Sequence, residues 1–302
     1  GEVQAHAWLA GRLLLRQENG WTRTGPLAEL ACAQPAVPLW ALRAKNAHAR
    51  WAKDDGAVLE TTKKLLERAP RPQETAALLL RASEAAARLD KTEEATAFLE
   101  RAVAEDPGDV VAWGFLAEAR GRKGDSRAAA EACESLARTS SVAAHQLMAW
   151  YDAARLWLDE VRDAERGVVA LEQAAAIDVA YEDVFTRLSA LYAERKLDSE
   201  LAALLERRLE LVTDPEERVT LEVDRARALV EMGETQRARA ALEAALAARP
   251  DHTTALGAFG DLCAKEGDWA GAEQAWVRLA RLLPSPAEQR AIYERLGDLY
   301  SS

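Results

Sequence analysis

The side chains that could carry out chemistry are few and share no spacing. Four histidines, His6, His48, His145 and His252, and three cysteines, Cys32, Cys133 and Cys263, are scattered along 302 residues. No His-x3-His, Cys-x2-Cys, Gly-x-Ser-x-Gly or Gly-x4-Gly-Lys-Ser/Thr pattern occurs, so zinc, an activated serine and a phosphate loop each lack their sequence signature. An odd number of cysteines, about a hundred residues apart, fits neither a disulfide framework nor a metal site and points to a reducing compartment. Cys133 and Cys263 occupy apolar positions and are expected to be buried structural thiols. The expectation is therefore no catalytic residue, no metal and no cofactor.

Tryptophan is abundant, with nine residues. Trp113, Trp276, Trp150 and Trp157 fall on apolar helix faces. Trp8, Trp21, Trp40 and Trp51 instead crowd the start of the chain together with Arg16, Arg43 and Arg50. Aromatic and Arg clusters are typical interface anchors, which makes Trp40, Arg43, Arg50 and Trp51 a candidate partner-binding patch; the alternative is that the rings fill irregular gaps in the core. Net charge is −11, distributed as +3 over residues 1–75 and −14 over residues 76–302. Such an acidic body repels nucleic acid and anionic membrane and favours a protein partner with a basic surface. The chain is 49% hydrophobic and 29% charged, enough to bury a core, but no apolar run approaches the roughly 18 residues of a membrane span. Gly1-Glu2-Val3-Gln4 lacks the features of a signal peptide, and a cytoplasmic location is expected.

The elements that must position these residues follow a repeating frame. Copies begin at Ala5, Leu39, Ala76, Val110, Met148, Glu182, Val219 and Thr253, with a ninth first helix near Arg290. The intervals alternate between 34 and 37 or 38 residues, so the true period is a pair of copies, about 71 residues. Apolar residues at i, i+3 and i+7, as in Phe185-x2-Leu188-x3-Tyr192, mark the inner face of a first helix. Small residues mark close helix approach: Ala117, Ser189, Ala226, Gly260 and Gly297 in first helices, and Ala95, Ala129, Ala238 and Ala272 in second helices. Gly124-Asp125, Gly233-Glu234 and Gly267-Asp268 supply a left-handed helix end followed by an acid at the next helix start. Pro70, Pro107, Pro250 and Pro284 close second helices. Arg71-Pro72, Asp214-Pro215 and Ser285-Pro286 open the longer copies, predicting an extra part-turn of helix there.

These residues resemble the tetratricopeptide repeat family, whose pattern is Trp-x2-Leu-Gly-x2-Tyr followed by Ala, Phe, Ala and Pro. The likeness is clearest in Leu256-x2-Phe259-Gly260-x2-Cys263 with Gly267-Asp268-Trp269-x2-Ala272. The resemblance implies an all-α, right-handed α-α superhelix of about eight and a half helix-turn-helix repeats, one solenoid over 1–302. Repeats 1–2 (1–75) diverge, repeats 3–8 (76–289) are regular, and 290–302 forms the first helix of a ninth, as in a segment of a longer array. It further implies a non-catalytic protein- or peptide-binding scaffold or adaptor. Carried over residue by residue, the family's concave wall includes Glu84, Glu118, Asp152, Asp159, Glu160, Asp183 and Glu194, an acidic surface suited to an Arg- or Lys-rich segment. The family's Lys and Asn clamp for a C-terminal carboxylate is not reproduced. The paired period and the excess of Arg over Lys, 31 to 8, are similar to long multi-repeat cytoplasmic proteins of GC-rich bacteria such as myxobacteria, some resembling polarity or motility adaptors for a Ras-like GTPase. Head-to-tail self-association, and a sensor arm of a larger enzyme or transcription regulator, are the alternatives.

Overall fold

Proline, glycine and short acids punctuate this chain, and helices run between them. The structure, a computed structural model, describes residues 28–33, 37–68 and 72–301. Trp8, Trp21, Arg16 and His6, with most of the first copy of the frame, lie outside the described residues. The chain divides into two compact units, residues 1–170 and 171–302. The first contains α1 (Leu39–Ala52), α2 (Asp55–Leu66), α3 (Pro72–Arg88), α4 (Thr92–Glu105), α5 (Val110–Arg122), α6 (Ser126–Thr139), α7 (Ala143–Arg155), a π-helical segment (Leu156–Val161) and the start of α8 (Ala164–Ile177). The second continues with α9 (Val184–Arg195), α10 (Asp198–Leu211), α11 (Pro215–Glu231), α12 (Thr235–Ala248), α13 (Thr253–Glu266), α14 (Trp269–Leu282) and α15 (Pro286–Ser301). Among the described residues there is no strand. Within each unit successive helices pack against one another, and α11 also touches α13, the next first helix.

The alternating period has a direct structural cause. First helices α3, α11 and α15 run 17, 17 and 16 residues, against 14, 13, 12 and 14 for α1, α5, α9 and α13. At α11 the added turn is capped by Asp214, which accepts from the Glu217 N–H at 3.0 Å, with Pro215 beginning the helix. The interval of 38 residues runs from Val110 to Met148 and ends inside α7, which begins at Ala143. Helix α7 then continues into the π-helical segment. It closes with Arg162 at φ 63° and the Asp163 N–H bonded to the Trp157 carbonyl at 2.8 Å. Gly167 is then obligatory, because a Cβ there would run into Leu158.

Close helix contacts fall where the small residues predict them. Ala95, Ala129, Ala238 and Ala272 are at most 3% exposed, and a Cβ on Gly260 would collide with the Trp276 indole. Gly124, Gly233 and Gly267 adopt φ of 76°, 78° and 79°, and Asp125 and Asp268 each cap the following helix. The divergence of the second copy also has a physical reason. At the small-residue position stands Asn46, buried at 3% exposure, whose amide donates to Thr61 and Thr62 hydroxyls at 2.9 and 2.8 Å and to the Val58 carbonyl at 3.2 Å. A satisfied polar cluster replaces apolar contact between α1 and α2. Leu42, not Trp40, occupies the large apolar position of this copy: Leu42 is 3% exposed and packs with Leu65 and Leu78, while Trp40 is only half-buried.

Candidate binding surface

First helices face solvent with charged residues on one side, and here the acids singled out by sequence are paired. Along α3, α5, α7 and at the start of α9, Glu84, Glu118, Asp152 and Asp183 meet Arg88, Arg122, Arg155 and Arg187 at 3.8, 2.5, 3.9 and 2.7 Å. Each partner is three or four residues further along, the spacing that brings side chains together on a helix. The expected acidic wall is thus a ladder of Asp/Glu–Arg pairs in these positions. Glu118 and Asp152 line one hollow of about 450 Å³, together with Arg155, His145 and Cys133. Burial pushes the Asp152 carboxyl up, with Arg155 opposing. Burial, with Asp152 and Glu134 adding to it, raises the Cys133 thiol to about 12, so it stays protonated at neutral pH. Cys263 is raised by burial to about 11. Glu160, on the π segment, accepts from the Ser126 hydroxyl. Asp159 beside it is also engaged, and Glu194 is exposed near the end of α9.

In the second unit a hollow of about 790 Å³ opens among α9, α10 and α11 over Phe185, Leu201 and Leu205. Its charged lining comprises Glu182, Asp198, Glu217, Asp224 and Glu231 against Arg208 and Arg227. Both cations are already taken, Arg208 by Glu217 at 2.6 Å and Arg227 by Asp224 at 3.0 Å. Glu182, Asp198 and Glu231 remain as the acidic excess. Asp183 and Glu194 do not line this hollow. Helix α9 starts at Val184, which leaves Asp183 flanking the helix and bonded to Arg187.

The aromatic and basic patch is divided. Arg43 pairs with Glu74 of α3. Trp51 is 57% exposed, with its ring 5.9 Å from that of His48. Arg50 lines a separate hollow of about 490 Å³ with Lys53, Asp55, Val58, Arg81, Glu84 and Arg88. Sequence periodicity offered no route to this last cluster, because its members come from α1, α2, α3 and a turn.

Other conspicuous residues have structural partners. Glu134, 6% exposed, accepts from the Trp157 indole at 2.8 Å and pairs with Arg138 and Arg166 at 2.7 and 2.9 Å. The Arg166 guanidinium lies over the Trp157 ring at 3.9 Å. His252 caps α13 by accepting from the Ala255 N–H at 3.2 Å. No grouping of His, Cys, Asp and Glu suited to a metal is found among the described residues, and no helix there is long and apolar enough to cross a membrane.

With this geometry in hand, comparison with known proteins gives three findings. The tetratricopeptide repeat family profile matches residues 223–287, which contain most of α11 and all of α12, α13 and α14. No curated protein sequence matches the chain. Among solved structures, a chain of the Naa15/Naa10 assembly bound to HypK-THB superposes over 87% of this chain and 39% of its own length, with TM-score 0.50 and 16% identity. The present chain therefore spans well under half of that protein. YrrB, described as a TPR protein with an unusual peptide-binding site, shares 16% identity over 65% of this chain and 97% of its own, with TM-score 0.42. A tetratricopeptide repeat protein from Parabacteroides merdae shares 14% identity over 85% and 97%, with TM-score 0.40.

Proposed function

We propose that this chain, an all-α stack of tetratricopeptide-type helix pairs, is a non-catalytic scaffold that binds a protein or peptide with a basic surface. The observation carrying the reading is the hollow among α9, α10 and α11, where an apolar floor is rimmed by Glu182, Asp198 and Glu231 after Arg208 and Arg227 have been neutralised by Glu217 and Asp224. A few polar groups around a mostly apolar concavity are the usual make-up of a recognition site. Unopposed acids on its rim attract Lys and Arg and raise the association rate. Glu118 and Asp152 line a second, smaller hollow in the first unit, where each is paired with an Arg of its own helix. The non-catalytic reading is supported by thiols held protonated and by His252 serving as a helix cap. Three free cysteines, Cys32, Cys133 and Cys263, suit a reducing compartment such as the cytoplasm. Nothing in the lining selects a Ras-like GTPase over other basic surfaces.

A fluorescein-labelled Arg/Ala peptide titrated into the full chain tests the reading. Affinity should fall as salt rises, and Glu182→Lys with Glu231→Lys should weaken binding mainly through the association rate. Glu243→Lys, on the exposed side of α12, should leave it unchanged. Equal binding by the double variant would remove the hollow as the recognition site.

A further inference from the structure

We propose that the hollow formed by α1, α2 and α3 is a binding site for a phosphate monoester, a phosphorylated serine or threonine in an extended segment of a protein partner. The inference rests on the scaffold reading and adds to it a second, oppositely charged recognition point. Its lining contains four cations, Arg50, Lys53, Arg81 and Arg88, and two carboxylates, Asp55 and Glu84. Both carboxylates are held by the same cation: Arg88 meets Asp55 at 3.1 Å and Glu84 at 3.8 Å. Among the described residues Arg50, Lys53 and Arg81 enter no ion pair, so three cations line one concavity whose two carboxylates are both paired with Arg88.

Charge and size identify the ligand. Four cations against two carboxylates leave an excess of two positive charges in the lining. A single carboxylate would neutralise half of it, whereas a phosphate monoester carries about −1.5 to −2 at neutral pH and offers three acceptor oxygens. Guanidinium groups suit that geometry through paired, charge-assisted hydrogen bonds. The space, about 490 Å³, is several times that of a bare phosphate and accommodates the residue bearing it with adjoining backbone. Val58, 4% exposed, supplies an apolar wall for the carbon atoms of such a residue.

The fold fixes the backbone that carries these cations before any ligand arrives. Lys53 ends α1 in the left-handed conformation, φ 55°, with its N–H bonded to the Arg50 carbonyl at 3.2 Å. Arg81 is half-buried on α3. Burial, followed by the charge of Arg50, pulls its guanidinium below the ordinary Arg range, with Glu84 opposing. A cation already desolvated and facing another cation gains more from an incoming anion than one fully in water.

The test uses the full chain and three fluorescein-labelled pentapeptides, Gly-Gly-X-Gly-Gly with X phosphoserine, serine or glutamate, read by fluorescence anisotropy. Only the phosphoserine peptide should bind, with inorganic phosphate competing. Arg81→Met should lower its affinity about tenfold or more, the loss expected for one charge-assisted hydrogen-bonded pair. Arg50→Met and Lys53→Met, both at exposed positions where folding is not at risk, should each weaken it in the same direction. Arg101→Met, on the exposed side of α4 and outside the hollow, should leave it unchanged. Circular dichroism melting establishes that each variant is folded. Equal binding of the glutamate peptide, binding that survives Arg50→Met and Arg81→Met, or no binding of phosphoserine by the parent would each overturn the proposal. The Arg/Ala peptide titrated into the same samples separates the outcomes: if it binds while phosphoserine does not, this hollow alone fails and the scaffold reading stands.

Discussion

Single residues decide the closest contacts in this protein. Gly260 lies against the Trp276 indole, so Gly260→Leu should cost on the order of 1–3 kcal/mol by overpacking, while the exposed change Glu243→Gln should cost under about 0.5. Equal melting temperatures for the two variants would mean that the helix pair does not close at this glycine. Glu134 accepts from the fully buried Trp157 indole, and Glu134→Leu should cost about 2–3 kcal/mol by stranding that donor. Chemical denaturation of the variant measures the loss. Burial keeps the Cys133 and Cys263 thiols protonated, toward about 12 and 11. A thiol-exchange reagent at pH 8 should therefore modify neither until denaturant is added, and rapid native reaction of either would contradict the packing. Glu222, 8% exposed, has its carboxyl pushed up by burial against the pull of Arg225. With a folded value above the unfolded one, this group's stabilising contribution is complete in acid and is lost as pH rises through the folded value. Glu222→Gln should accordingly gain in melting temperature relative to the parent between pH 4 and pH 7, and a flat difference would show that Arg225 cancels the effect.

At the scale of the element, helix ends set the period. The alternation of 34 with 37 or 38 residues was legible because Pro at a helix start and Gly at a helix end are local requirements of backbone geometry. The structure accordingly lengthens α3, α11 and α15. Asp214→Ala, which removes a side-chain bond to the Glu217 N–H, should cost about 1 kcal/mol. Glu234, at the start of α12, makes no such bond, and its replacement by Ala should change stability by much less. Thermal melts of the pair test which acids act as caps. The π segment was not legible. It falls within a 34-residue interval like its equivalents, so no extra length marks it in the sequence, and its wider turn accompanies the Trp157 indole reaching Glu134 across on α6. The second copy was obscure for a related reason: Asn46, Thr61 and Thr62 read as polar interruptions until they are seen bonded to one another in the interior.

Over the whole molecule, stability should be local in origin. Each helix packs chiefly on its neighbours in sequence, so Leu229→Ala, in the core shared by α11, α12 and α13, should accelerate hydrogen exchange in those helices and leave α3 to α5 unaffected. Uniform loss of protection would instead mark a single cooperative block. What the sequence determined by itself was the helical class, the paired repeat, the small residues at close contacts and the acidic character of the body. All of these depend on separations of a few residues along one helix or between adjacent helices. Which charges remain available to a partner was decided only by tertiary structure. Glu84 and Glu118 are drawn to Arg residues on their own helices, Arg43 is drawn to Glu74, and Arg50, Lys53 and Arg81 meet around a hollow. A charge has no preferred neighbour in sequence; its partner is whichever opposite charge the packed helices bring within a few ångströms, and that distance exists only once the chain has folded.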